Sequence, residues 1–120
     1  MSHKIIAAVD DMIFISKIRT VTEHLGLRIQ FVRSVPAALA AAREEKPSLV
    51  IADLHATRCE PLALARELKA DDDLCDIPIV GFFSHVETTL QAAAQEAGYN
   101  RVMPRSAFSN NLDRVLTGKF

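Results

Sequence analysis

Short, uniformly apolar runs alternate along the chain with longer stretches whose apolar residues recur every three or four positions. Ile5 to Val9 reads Ile-Ile-Ala-Ala-Val. Leu49 to Ala52, entered from Pro47-Ser48, and Ile79 to Phe83, entered from Pro78, have the same character. Runs this short and this apolar suit strands buried on both faces, as in a parallel sheet. Arg28 to Val32 alternates instead, which predicts an edge strand, and Val102-Met103 marks a fifth short strand.

The intervening stretches read as helices. Met12 to Leu25 lines up Ile15, Ile18, Thr22 and Leu25, and Gly26 ends the pattern, as a helix-terminating glycine does. Ser34 caps a helix carrying Val35, Ala38, Leu39 and Ala42, with Pro36 tolerated in its first turn. Pro61 opens a third, with Leu64 and Leu68 on one side. Glu87 to Ala97 carries Leu90, Ala93, Ala94 and Ala97 and stops at Gly98. A last short helix begins at Asn110 or Asn111 and presents Leu112, Val115 and Leu116.

Strand then helix, five times over, predicts a doubly wound α/β fold with a five-stranded parallel sheet. Parallel neighbours need crossover helices, and right-handed crossovers leave few topologies. A chain of 120 residues with 49% apolar and 24% charged residues fits one domain, residues 1–120. A net charge of −1 offers no electrostatic attraction to nucleic acid or to an anionic membrane. Cys59 and Cys75 match no zinc or redox spacing and read as two small apolar residues in a reducing compartment. With no membrane-length apolar run and no secretory pattern at the N-terminus, a cytoplasmic location is expected.

Doubly wound sheets carry their sites at the carboxyl ends of the strands. Asp10 and Asp11 follow the first strand and Asp53 ends the third. In the order 2-1-3-4-5 these strands are neighbours, so the three acids share one cleft. Two carboxylates about 4 Å apart repel by ~4 kcal/mol at an effective dielectric of about 20. A cation, a basic side chain or a raised pKa must offset this. A hard divalent ion suits such an all-oxygen site. Arg105, after the fifth strand, offers a fixed positive charge, and Ser84, after the fourth, a hydroxyl. A carboxylate beside a metal and a cation is set up for phosphoryl transfer to itself.

With these residues the chain resembles the receiver domains of two-component response regulators over nearly its whole length. The resemblance implies the flavodoxin-like order 2-1-3-4-5. Val9-Asp10-Asp11 matches the family's acidic pair, which holds Mg²⁺ (or Mn²⁺). Leu49 to Leu54 gives the context of the phospho-acceptor, Asp53. The resemblance also implies that Asp53 and the backbone carbonyl of His55 complete the metal's protein ligands. Ser84 answers the phosphoryl group. Ala97-Gly98 aligns Arg105 with the family's essential Lys. Expected partners are a histidine kinase or phosphotransfer protein, a downstream target, and a second copy of the chain. No nucleic acid or membrane is expected. The contact face would draw on Ala92, Gln95, Glu96, Tyr99, Arg101 and Arg114. Enzymatic activity would go no further than self-phosphorylation and autodephosphorylation at Asp53. The chain ends after its fifth helix with no output domain expected, so it would signal by protein–protein contact.

Several positions depart from the family pattern. Arg105 replaces Lys, and the planar guanidinium is not equivalent to a point ammonium. Ser106 stands where a cis-proline is usual, and Pro104 precedes the Arg, so this loop is expected to take another path. Ala56-Thr57 and Pro61 occupy places usually held by Met-Pro and glycine, Val102 replaces an aromatic switch, and His85 follows Ser84 in place of a small residue. These departures give a second reading, a pseudo-receiver that works by contact without phosphorylation. His55 and His85 border the cleft. They are read as rim residues, with a mixed nitrogen–oxygen site for a transition metal as the alternative. His3 and His24 read as surface. A small phosphohydrolase would want an acid at position 55, and a nucleotide-binding domain would want a glycine-rich loop after the first strand. Both readings are weaker.

Overall fold

The computed structural model describes residues 4–56, 58–84 and 88–120. In chain order the elements are β1 (Lys4–Ala8), α1 (Met12–Leu25), β2 (Arg28–Phe31), α2 (Val35–Glu44), β3 (Leu49–Asp53), α3 (Pro61–Ala70), β4 (Ile79–Phe83), α4 (Thr88–Ala97), β5 (Arg101–Pro104), α5 (Arg105–Asn110) and α6 (Leu112–Leu116). The strands form one parallel sheet ordered β2-β1-β3-β4-β5, as expected. Its alternating strand, β2, is at one edge, and Ala8 pairs with Ala52 and Asp53 with Phe82 at the carboxyl ends.

Because side chains alternate across a strand, each central strand feeds two cores. Ile5, Ala7, Val9, Leu49, Ile51, Val80 and Phe82 pack against Phe14, Ile15 and Ile18 of α1, Phe108 of α5 and Leu112, Val115 and Leu116 of α6. Ile6, Ala8, Val50, Ala52, Ile79 and Phe83 pack against residues of α2, α3 and α4. Every residue of β1, β3 and β4 is buried, which is why their sequences are apolar without alternation.

Local signals set the helix ends. Asp11 caps α1, and Gly26 ends it at φ +70°, in the left-handed region that only glycine enters freely. The Ser34 hydroxyl accepts from the Ala37 N–H at 3.1 Å. The start expected for α4, Glu87, lies outside the described residues; its end at Gly98 is as expected.

Three expectations need correction. Residues 105–110, read as loop, form α5, and Asn111 separates it from α6. Phe108 is the only large apolar residue of Arg-Ser-Ala-Phe-Ser-Asn, so no periodicity announces that helix. Cys75 is exposed, and only Cys59 is a core residue. Tyr99, placed on the contact face, is 6% exposed. Its ring fills the space above Gly81, where a Cβ would lie 2.9 Å from Tyr99 Cε2. Its hydroxyl donates to the Pro61 carbonyl at 2.8 Å. The remaining residues proposed for that face are exposed, as is His24. Among the described residues no helix is long and apolar enough to cross a membrane.

Candidate functional site

The carboxyl ends of β1 and β3 are adjacent in the sheet, so Asp10, Asp11 and Asp53 come to one edge of the molecule, as expected. Their surroundings differ. Asp53, the last residue of β3, is 8% exposed. Its Oδ1 accepts the His55 N–H at 2.9 Å. The Ala56 N–H donates to the Asp53 carbonyl at 3.0 Å. These two bonds fold the chain back over the end of the strand in the local turn that Asp favours. The His55 backbone is thereby fixed beside the Asp53 carboxylate.

Asp11 is spoken for on both oxygens. Oδ1 accepts the Ile13 and Phe14 N–H groups at 2.9 and 3.2 Å, capping α1. Oδ2 accepts from Arg105 Nη2 at 2.6 Å, a short charge-assisted bond. The Arg105 bond first, then the Phe14 N–H, hold the Asp11 carboxyl below the usual carboxylate range. The guanidinium also lies over the Phe14 ring, with Cζ 4.4 Å from its centroid. That ring packs on Phe82 and Phe108 at 4.9 and 5.6 Å. Arg105 does follow β5 as expected, as the first residue of α5.

Asp10 is half-buried, and among the described residues its buried Oδ1 has no hydrogen-bond partner. An uncompensated carboxylate oxygen is costly, and an oxygen of this kind at a sheet end that also carries Asp11 and Asp53 is of the type preferred by a divalent cation that takes oxygen ligands and retains waters. The acids do not form a closed cage: among the described residues, no group of three His, Cys, Asp or Glu side chains is gathered as metal ligands. The donor set therefore fits an ion held by few protein oxygens rather than a preassembled all-protein site.

Ser84 follows β4 and is exposed, His55 is half-buried, and His85 lies outside the described residues. Beneath Asp10 and Asp53 are two buried protic groups. Burial, then the charges of Asp10 and Glu60, push the Cys59 thiol up to about 11. Burial, then Cys59 and Asp53, hold the Tyr99 phenol far above its usual range. Sequence reasoning missed Phe14 as the residue under Arg105. Its position four before Ile18, on the buried side of α1, is the signal that was available.

No protein-family profile and no curated protein matches the chain. Solved structures do, and several are receiver domains. A chemotaxis response regulator of Vibrio cholerae superposes with a TM-score of 0.84 at 12% identity, covering all of both chains. The receiver domain of a sensor histidine kinase from Pseudomonas aeruginosa, with a magnesium ion coordinated in its active-site cleft, gives 0.83 at 18% identity. The alignment covers 98% of this chain and 96% of that one. A phosphorylated phytochrome response regulator of a cyanobacterium gives 0.80 at 21% identity, over 98% and 91% of the two chains. The chain has the CheY-like, flavodoxin-type fold of response-regulator receiver domains.

Proposed function

We propose that the protein is a phospho-accepting receiver of a two-component or phosphorelay system, with Asp53 as the acceptor and Mg²⁺ or Mn²⁺ as the required ion. The observation that carries this reading is the buried Asp53 at the end of β3, on the strand adjacent to β1, after which Asp10 carries a buried oxygen without a partner among the described residues. Asp10, Asp11, Asp53 and the His55 backbone carbonyl would hold the ion, which would screen the acids and the incoming phosphoryl oxygens. A carboxylate oxygen of Asp53 attacks phosphorus, and the bond from phosphorus to the donor atom breaks. The leaving group, an imidazole or a carboxylate, departs with that bond's electron pair. Ser84 donates a hydrogen bond to a phosphoryl oxygen, and Arg105 supplies positive charge to the same group. The donor would be a histidine kinase or phosphotransfer protein, in the cytoplasm. The output would be contact with a target or a second copy through exposed residues of α4, β5 and α6.

Incubation with a small acyl phosphate and Mg²⁺ should add one phosphoryl group by mass. The gain should vanish in Asp53→Asn and on chelation of the metal. A second reading is favoured by one feature, the engagement of both Asp11 oxygens within the chain, by the start of α1 and by Arg105: the domain would be a pseudo-receiver that acts by contact alone. No mass gain at any Mg²⁺ concentration would select it.

A further inference from the structure

Arg105 is fixed at two points. Its guanidinium bonds Asp11 Oδ2 at 2.6 Å and lies over Phe14 at 4.4 Å. Phe14 cannot easily yield, being 5% exposed and packed against both Phe82 and Phe108. The remaining oxygen of Asp11 is spent on two helix N–H groups. A divalent ion that uses Oδ1 must therefore uncap α1, and one that uses Oδ2 must share it with, or displace, an adjacent guanidinium of like charge. Arginine is suited to this arrangement: its plane stacks flat on a ring and is weakly hydrated, whereas an ammonium is a strongly hydrated point charge.

Resting on the reading above, we infer that Arg105 is the site's resident counter-cation, competing with the divalent ion for Asp11, and that Phe14 is the positioning residue that holds it there. The acid pocket is then part-neutralised without metal, and ion binding is coupled to release of Arg105 from α1. Because Arg105 opens α5 directly after β5, that release acts on the segment joining the edge strand to the last two helices. Metal occupancy would thus be passed to that side of the fold through a residue that also takes part in phosphoryl transfer.

The test is a calorimetric titration of the full chain with MnCl₂, repeated with MgCl₂, with folding of each variant checked by circular dichroism. Arg105→Ala should bind Mn²⁺ about tenfold more tightly than wild type, the equivalent of one partly exposed ion pair plus its ring contact. Charge alone would also give some tightening, so two further variants decide. Arg105→Lys keeps the charge, and Phe14→Leu keeps the Asp11–Arg105 charge pair but removes the ring. Both should tighten binding by a few-fold, and Phe14→Tyr should restore wild-type affinity. Tightening in Arg105→Ala with no change in Arg105→Lys and Phe14→Leu would overturn the competition and leave only a long-range field. Equal affinities throughout would overturn it as well. No binding by wild type or any variant would instead defeat the metal reading itself, and this inference with it. If Phe14→Leu does not fold, Arg105→Lys alone separates competition from a long-range field.

Discussion

On the face covered by α1, α5 and α6, the sheet ends beneath the site in rings. Phe82 stacks on Phe108 at 4.6 Å, and Phe14 lies against both. On the face covered by α2, α3 and α4, small residues, Ala8, Ala52 and Gly81, share the strand ends with a single ring, Phe83, and Tyr99 and Cys59 pack in the same core. The first face presents a hard aromatic floor to the Arg105 cation. The second buries a thiol and a phenol under Asp10 and Asp53 and ties the start of α3 to the β4–β5 side through the Tyr99 hydroxyl. The contrast shows how one sheet edge holds acids in two ways. Asp11 is restrained by a charge that rests on hydrocarbon, while Asp53 is restrained by the turn that follows it.

Adjacent residues of β4 report on the two faces. Phe82→Ala removes a fully buried ring from the aromatic cluster and should cost about 3–5 kcal/mol in urea unfolding, the largest effect expected. It should also loosen Phe14 and with it the Arg105 contact. Gly81→Ala adds a Cβ within 3.0 Å of both Tyr99 and Leu54 and should cost about 1–3 kcal/mol by overpacking. Combining it with Tyr99→Leu should recover part of that loss, because the two residues share one space. A neutral Gly81→Ala would mean that Tyr99 moves aside readily, and the second face would then be the softer of the two.

Much of this is legible in the sequence because the central strands are buried on both faces and are therefore apolar throughout. The rule for strand ends then singles out Asp10, Asp11 and Asp53 without any knowledge of contacts. The Ala97-Gly98 spacing singles out Arg105 but not what it touches, since its ion pair joins residues 94 apart in sequence. Such a contact leaves no periodic trace. Helix α5 escapes because one ring, Phe108, is its only large apolar residue. Tyr99 reads as a surface residue because it sits in a polar segment, Gly-Tyr-Asn-Arg. The counter-signal is Gly81 inside an otherwise bulky run, which marks a place where another group approaches the strand closely.

The smallest expected effect tests the protic character of the second face. Cys59 is 1% exposed, and its thiol is pushed up to about 11 from an ordinary 9.0. Its folded pKa therefore exceeds the unfolded one. The native state keeps a proton that the unfolded chain loses between these values, so stability falls as pH rises through that interval. The stabilisation is complete below the unfolded pKa. Between about pH 8 and pH 10 the loss from this group should be about 1 kcal/mol. Tyr99 moves in the same direction but at higher pH, since a phenol ionises later. Cys59→Ala isolates the thiol: its unfolding free energy should fall less than wild type across this interval, whatever constant offset the lost sulfur brings. The two thiols should also separate by reactivity. A thiol reagent at about pH 8 should label exposed Cys75 readily and reach Cys59 only through unfolding. Fast labelling of both, or parallel pH profiles for wild type and Cys59→Ala, would show that water reaches this face beneath Asp10, and the contrast between the two faces would be lost.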